Sequence, residues 1–265
     1  MTSDQQRPIM VTGLGRSGTT WMQSYLSQHP RIHIHGQSPN ISWETIWQWY
    51  QTLLKQGQWS QWANRQIAVD VPHYAGSTSD RTQALFKRMF HEYFTGNGPT
   101  SDRWGLKWID LSDGTESGQQ FEQLWPETFW IVCVRDPFRT IESVKNTFVP
   151  TLNIRGYVNG WVRTCEFIER QDPARLAVIQ LDRLTQQTTE QRTGTLRQVL
   201  DSLGESPTVE TDSFVRQWPI VHKVIPEDER TFRLSSEARQ DLLRSVPLLA
   251  DYMNKFGYGD GCQDE

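Results

Sequence analysis

The order of apolar runs predicts an α/β fold, a single domain with a central parallel sheet flanked by helices. Three observations carry this. Pro8 to Leu14 (P-I-M-V-T-G-L) is a short apolar, β-branched run that passes through a glycine loop into a helical pattern. Arg31 to His35 then alternates as a strand does, which completes a strand–helix–strand unit and so implies parallel pairing. Phe129 to Val134 (F-W-I-V-C-V) is the strongest strand in the chain, apolar throughout as a strand buried on both faces must be, and a helix follows it directly.

The remaining elements follow in order. The first helix spans Thr19 to about Gln28, with Trp21, Met22, Tyr25 and Leu26 as its apolar stripe, and His29-Pro30 ends it. A second helix from Ser42 to Gln56 carries Ile46, Trp47, Tyr50, Leu53 and Leu54 on one face, and Glu44 in its first turn favours the helix dipole. Arg81 to Thr95 is a third helix and Trp104 to Ile109 a strand. After the central strand come helices over Phe138 to Phe148 and Tyr157 to Arg170, a strand at Leu176 to Leu181, and helices over Thr189 to Leu203 and Ser235 to Phe256. The Pro-, Glu- and Asp-rich stretch from Val209 to Arg230 reads as a long loop, long enough to suggest function. No repeat, low-complexity tract or linker interrupts the chain, so residues 1–265 are expected to form one domain.

Composition narrows the partners. Hydrophobic residues make up 36% and charged residues 22%, and twelve Trp and eleven Phe supply large buried area to offset a modest aliphatic count. A net charge of −4 gives no reason to expect nucleic acid or an anionic membrane, so an anionic ligand would need a local cluster of Arg and Lys. Cys133, Cys165 and Cys262 form neither a metal-type pair nor a disulfide framework. No apolar signal segment follows Met1 and no window approaches the ~20 apolar residues of a membrane span. A soluble, cytoplasmic protein is expected.

Gly13 to Thr20 reads G-L-G-R-S-G-T-T. Glycines let backbone N–H groups converge on an anion, and the following helix adds positive potential at its N-terminus. Gly13 and Gly18 match the glycine spacing of the nucleotide P-loop and Thr20 holds its Ser/Thr place, but Thr19 stands where that loop has lysine. The domain is thus P-loop-like. With Arg16 as its one cation, the loop suits an anion whose far end carries less charge than a triphosphate. A phosphosulfate meets that requirement.

Arg135-Asp136-Pro137 stands at the end of the central strand, where open α/β sheets bind ligands, and Ser143 lies two helical turns further on. Arg135 could hold an anion bidentately and Ser143 donate to it, although R-D-P by itself equally describes a capping turn. R-S-G-T-T-W (16 to 21) and R-D-P…S (135 to 143) resemble the two nucleotide-binding signatures of the sulfotransferases that use 3′-phosphoadenosine 5′-phosphosulfate (PAPS). H-P-R-I-H-I-H-G (29 to 36) is similar to the segment after the loop in the tyrosylprotein and bacterial branches, L-D-R-L (181 to 184) to a later Y-E-D-L, and K-F-G-Y-G (255 to 259) to the exit of the C-terminal helix.

The resemblance implies that Arg16, Ser17, Gly18, Thr19, Thr20 and Trp21 surround the 5′-phosphosulfate and that Arg135 and Ser143 hold the 3′-phosphate. It implies a metal-free reaction that leaves 3′-phosphoadenosine 5′-phosphate (PAP), and it makes Lys107 similar to a lysine contacting the transferring group. Arg16 and Lys107 would then stabilise charge on the bridging oxygen. The acceptor's proton needs a base. Gln37 holds the place of the glutamate of the tyrosylprotein branch, and Ile109 that of a histidine of the cytosolic branch, so neither base is inherited. His35 is either a substitute base, a histidine's unperturbed pKa being about 6.5, or a structural or surface histidine. Asp110 and Glu44 are weaker alternatives. The acceptor expected is a hydroxyl or amine of a small molecule or lipid-like compound, and the block Trp43, Trp47, Trp49, Tyr50, Trp59 and Trp62 reads as helix packing or as a pocket for an apolar or aromatic alcohol. Lys223 and Arg230 are either solvated loop charges or a cover over the 3′-phosphate.

Two rivals remain open. A P-loop-type small-molecule kinase would use Asp136 to hold magnesium. A non-catalytic PAP- or PAPS-binding protein would keep the nucleotide site without the base.

Overall fold

The computed structural model describes residues 7–36, 43–67, 78–95, 103–109, 116–147, 151–218, 220 and 231–259. Five strands, β1 (Ile9–Thr12), β2 (Ile32–His35), β3 (Arg103–Lys107), β4 (Phe129–Val134) and β5 (Leu176–Gln180), form an all-parallel sheet in the order β2-β3-β1-β4-β5. The fold is therefore the α/β, P-loop-like one. β1 and β2 are parallel as expected, but β3 lies between them. β1 and β4 are direct neighbours, with Thr12 paired to Val132, so the strand feeding the glycine loop and the strand feeding Arg135 end side by side.

Burial explains the sequence of each strand. β1 and β4, central and covered on both faces, are buried at every position, which requires continuous apolar runs. β2 lies at an edge and alternates buried Ile with partly exposed His. On one face Ile9, Val11, Ile34, Ile131 and Cys133 pack against Met22, Tyr25 and Leu26 of α1 (Thr19–Leu26), Leu196, Val199 and Leu200 of α8 (Thr189–Ser202) and Phe214 and Val215 of α9 (Val209–Gln217). Met22→Ala would remove a fully buried side chain from this layer at a cost of about 2–5 kcal/mol. On the other face Trp130 meets Phe167 of α6 (Ile154–Arg170) edge to face at 4.9 Å.

Three helical expectations are corrected. Val209 to Gln217 is not loop but helix α9, started by a reciprocal capping box between Thr208 and Thr211. The final helix is two: α10 (Ser236–Ser245) ends before Pro247, Leu248 turns left-handed at φ 62, and α11 (Leu249–Lys255) follows. Two short helices were not expected, α4 (Glu116–Leu124) and α7 (Leu181–Gln186).

The chain divides into two compact units. One, Met1–Gln37, Ser101–Gly118 and Glu127–Glu265, contains the sheet. The other, Ser38–Thr100 and Gln119–Pro126, contains α2 (Trp43–Ile67) and α3 (Ser79–Thr95). Within it Trp43, Tyr50, Phe86, Phe90, Phe121 and Trp125 form one aromatic core, with Trp43 Nε1 donating to Gln120 at 2.6 Å. The aromatic block thus divides: Trp43 and Tyr50 are core, while Trp49, Trp59 and Trp62 are exposed. No described helix is long and apolar enough to cross a membrane.

Candidate functional site

The glycine loop leaves β1 at Gly13, whose φ of 139 admits a side chain only with strain and whose Cβ would sit inside the carbonyl oxygen of Cys133. At its far end Gly18 (φ 98) lies against Leu181, where a Cβ would come within 2.7 Å of the Leu181 Cδ1. Between them Arg16 holds φ 71, a left-handed backbone uncommon for a residue with a Cβ. Internal bonds fix this shape. Ser17 Oγ is buried and donates to Leu14 O at 2.7 Å, and Tyr157 of α6 donates its hydroxyl to Gly15 O at 2.6 Å. Gly18, the N-cap of α1, supplies no side-chain cap to the amides of the helix start.

The second cluster stands on the neighbouring strand end. Arg135 is buried at the exit of β4, and Trp161 of α6 donates its indole N–H to Arg135 O at 2.9 Å. Asp136 caps α5 (Pro137–Thr147): its Oδ1 accepts from Phe138 N at 2.8 Å and Arg139 N at 3.1 Å. The capping turn and the inward arginine therefore coexist in one R-D-P. Asp136 Oδ1 is thus engaged at the start of the helix. Asp182 of α7 accepts from Asp136 N at 2.9 Å and pairs with Arg135 Nε at 3.5 Å. At that distance the contact is ionic rather than an aligned hydrogen bond, and the buried Nε lacks a hydrogen-bond partner among the described residues.

The clusters meet. Arg16 Nε donates to Ser143 Oγ, on α5, at 3.1 Å. Burial first, and the nearby Arg135 charge second, lower the Arg16 pKa. Burial also lowers that of Arg135, against the opposing pull of Asp182. Two guanidinium groups share one partly desolvated place, where an anion would relieve both. On the other side of the loop, Lys107 at the end of β3 donates to Thr20 Oγ1 at 3.2 Å, and burial lowers its pKa.

Other expected residues lie elsewhere. Register pairs His35 with Leu106 and Met10 with Leu106, whereas Lys107 pairs with Val11. Paired residues leave a sheet on the same face, so His35 emerges on the face opposite Lys107. There its ring packs edge-on against His33 at 4.3 Å. Thr19 is buried at the start of α1, and Trp21 packs against Tyr25 and Phe214 and donates to Trp218 O at 3.1 Å, which joins α1 to the end of α9. Glu44 is exposed in the first turn of α2. Gln37, Asp110, Lys223 and Arg230 lie outside the described residues. Sequence reasoning missed Asp182, Tyr157 and Trp161, although the L-D-R-L motif contains the first of them.

The fold and loop together define a P-loop-like α/β protein with Arg16, Lys107 and Arg135 at the ends of neighbouring strands. The Sulfotransferase family profile matches residues 8–210, and the chain belongs to that family. Three solved structures share the fold. The sulfotransferase domain from the Synechococcus PCC 7002 olefin synthase superposes with a TM-score of 0.55 at 16% identity, covering 95% of this chain and 94% of that one. Sulfotransferase STF9 from Mycobacterium avium gives 0.54 at 18%, covering 94% and 76%. A sulfotransferase from Alicyclobacillus acidocaldarius gives 0.54 at 15%, covering 96% and 97%. A search of curated proteins found no significant match.

Proposed function

We propose that the protein transfers a sulfuryl group from PAPS to a hydroxyl or amine of a small-molecule or lipid-like acceptor, with residues 1–265 acting as one sulfotransferase domain in a cytoplasmic setting. The buried, unbridged Cys133 and Cys165 suit a reducing compartment. The observation that carries the reading is the 3.1 Å bond from Arg16 to Ser143, which joins the glycine loop to the second arginine cluster. Two basic anchors at neighbouring strand ends suit an adenosine that carries anionic groups at both its 5′ and 3′ ends.

In this reading Arg135 and Ser143 bind the 3′-phosphate. Ser17, Gly18, Thr19 and Thr20 present the loop to the 5′-phosphosulfate, and Trp21 braces it from α1. Lys107 and Arg16 carry the positive charge that the bridging oxygen needs as it leaves, so the transfer is metal-free. When bound, PAPS supplies an activated sulfuryl group. The acceptor oxygen or nitrogen forms the new bond to sulfur as the bond to the bridging oxygen breaks, PAP departs, and the acceptor's proton passes to a base. His35 can be that base only by reaching over the end of β2, because its side chain starts on the face away from Lys107.

A titration with PAP in the absence of magnesium, followed by transfer of labelled sulfate from PAPS to a panel of alcohols and amines, tests the reading. PAP should bind, and Arg135→Ala should weaken it at least about tenfold, because a charge-assisted anchor is lost. Unchanged PAP affinity in that variant removes Arg135 from the site. Binding of ATP with magnesium but not of PAP would favour a kinase, and PAP binding without turnover on any acceptor a binding protein. His35→Ala with near-normal turnover eliminates that base.

A further inference from the structure

Two side chains one turn apart on α6 touch the two anchors. Tyr157 donates its hydroxyl to Gly15 O at 2.6 Å, next to the left-handed Arg16. Trp161 donates its indole N–H to Arg135 O at 2.9 Å. Residues four apart share one face of a helix, so a single stripe of α6 holds the backbone of the loop after β1 and the backbone of the turn after β4. Both acceptors are main-chain carbonyls beside the arginines, and neither bond consumes a guanidinium donor.

The helix is well placed to act as a rigid spacer. Asn153 caps its start, accepting from Gly156 N at 3.0 Å, and Val158 and Cys165 are wholly buried along it. Phe167 locks its later turns onto Trp130 of the sheet, and Phe256 and Tyr258 pack edge-on against the Trp161 ring at 6.1 and 6.4 Å. The glycine loop, by contrast, is irregular backbone held by side-chain bonds, those of Ser17, Tyr157 and the Arg16–Ser143 and Lys107–Thr20 pairs among them, and Arg16 sits in a left-handed conformation uncommon for a residue with a Cβ. A loop of that kind relaxes when a tie to it is cut.

We propose that Tyr157 and Trp161 are positioning residues that set the separation between the Arg16 loop and the Arg135 turn, and so select a nucleotide anionic at both its 5′ and 3′ ends over one anionic at the 5′ end alone. The inference rests on the functional reading above and adds to it the element that measures the ligand. Arg16 and Arg135 supply charge whatever their spacing. The two α6 bonds make the spacing a fixed quantity, so a ligand that bridges both anchors gains from both at once.

The test compares the affinities of PAP and adenosine 5′-phosphate for the full chain. Wild type should prefer PAP. Tyr157→Phe, which removes a single oxygen, and Trp161→Phe, which removes the indole donor, should each cut that preference roughly tenfold, the scale of one buried hydrogen bond. The loss should fall on PAP, with adenosine 5′-phosphate affinity almost unmoved. Val158→Ala, which thins the core on the same helix without touching either carbonyl, should lower thermal stability and leave the preference as in wild type. Wild-type preference in both α6 variants overturns the inference, as does an equal fall in Val158→Ala. Should Trp161→Phe not fold, Tyr157→Phe decides alone. A wild-type protein without preference for PAP would instead sink the functional reading beneath it.

Discussion

Asp182→Asn perturbs the second anchor without touching the residues proposed to hold the donor. The Asp182 carboxylate lies 3.5 Å from Arg135 Nε, with 14% and 7% of the two side chains exposed, and 3.9 Å from Arg139. At an effective dielectric of about 20, Coulomb's law gives a pair at the Arg135 distance about 5 kcal/mol. Desolvation of both groups offsets part of that, and removing one partner of a buried pair costs about 3–5 kcal/mol. Asparagine preserves shape and can still accept from Asp136 N, so the lower end, about 3 kcal/mol, is expected. Denaturant unfolding reads this as a shifted midpoint at constant slope. The same unpaired guanidinium should attract phosphate more strongly, so saturating PAP should stabilise Asp182→Asn more than it stabilises wild type. A midpoint unchanged from wild type would show that the Arg135–Asp182 contact is not a meaningful ion pair, and equal stabilisation by PAP would show that the carboxylate does not compete with the anion.

Burial lowers the Lys107 pKa, so its charge is present at low pH and lost as pH rises through that lowered value. Turnover should therefore fall along an alkaline limb beginning below the ordinary lysine value of about 10.4. Lys107→Arg should move the limb out of range, and a pH–rate profile of both forms decides. Gly13→Ala should be more damaging than Gly18→Ala, because Gly13 faces a fixed carbonyl whereas Gly18 faces the movable end of Leu181. Gly18→Ala should cost about 1–2 kcal/mol in an unfolding experiment, with Gly13→Ala costing more or failing to fold. Glu142 accepts from Leu234 N at 3.0 Å and from Arg239 at 3.0 Å, so Glu142→Ala should cost about 3 kcal/mol and speed hydrogen exchange at the Leu234 amide. An amide as protected as in wild type would refute that tie.

Elements buried on both faces were legible. β4 is six consecutive apolar residues because both its faces are covered, and the glycine loop between β1 and α1 declares itself by residue type. α9 was hidden because Thr211, Phe214 and Val215 are its only buried residues and its capping box ends in threonine rather than Glu or Gln. The break between α10 and α11 is marked in the sequence by Pro247 alone, within an otherwise helical pattern. Sheet order was not legible, since β3 enters between β1 and β2 from far along the chain. That register separates His35 from Lys107: an offset of one residue turns a strand's side chains to the other face. Within the site, charge clusters could be read from their own segments. Pairings such as Asp136 with Asp182 and Gly15 with Tyr157, 46 and 142 residues apart, could not.

The pairing of Ile9 with Phe129 also bears on how the molecule comes into being. Closing a loop of that length costs roughly 4 kcal/mol of chain entropy before any constant is added, and contacts so distant along the chain slow folding. A nascent chain that has made only its first helix owns Arg16 but no companion for it. On the proposed function, nucleotide binding would thus await the joined sheet, and titrating the folding chain with PAP would report when β1 and β4 have paired.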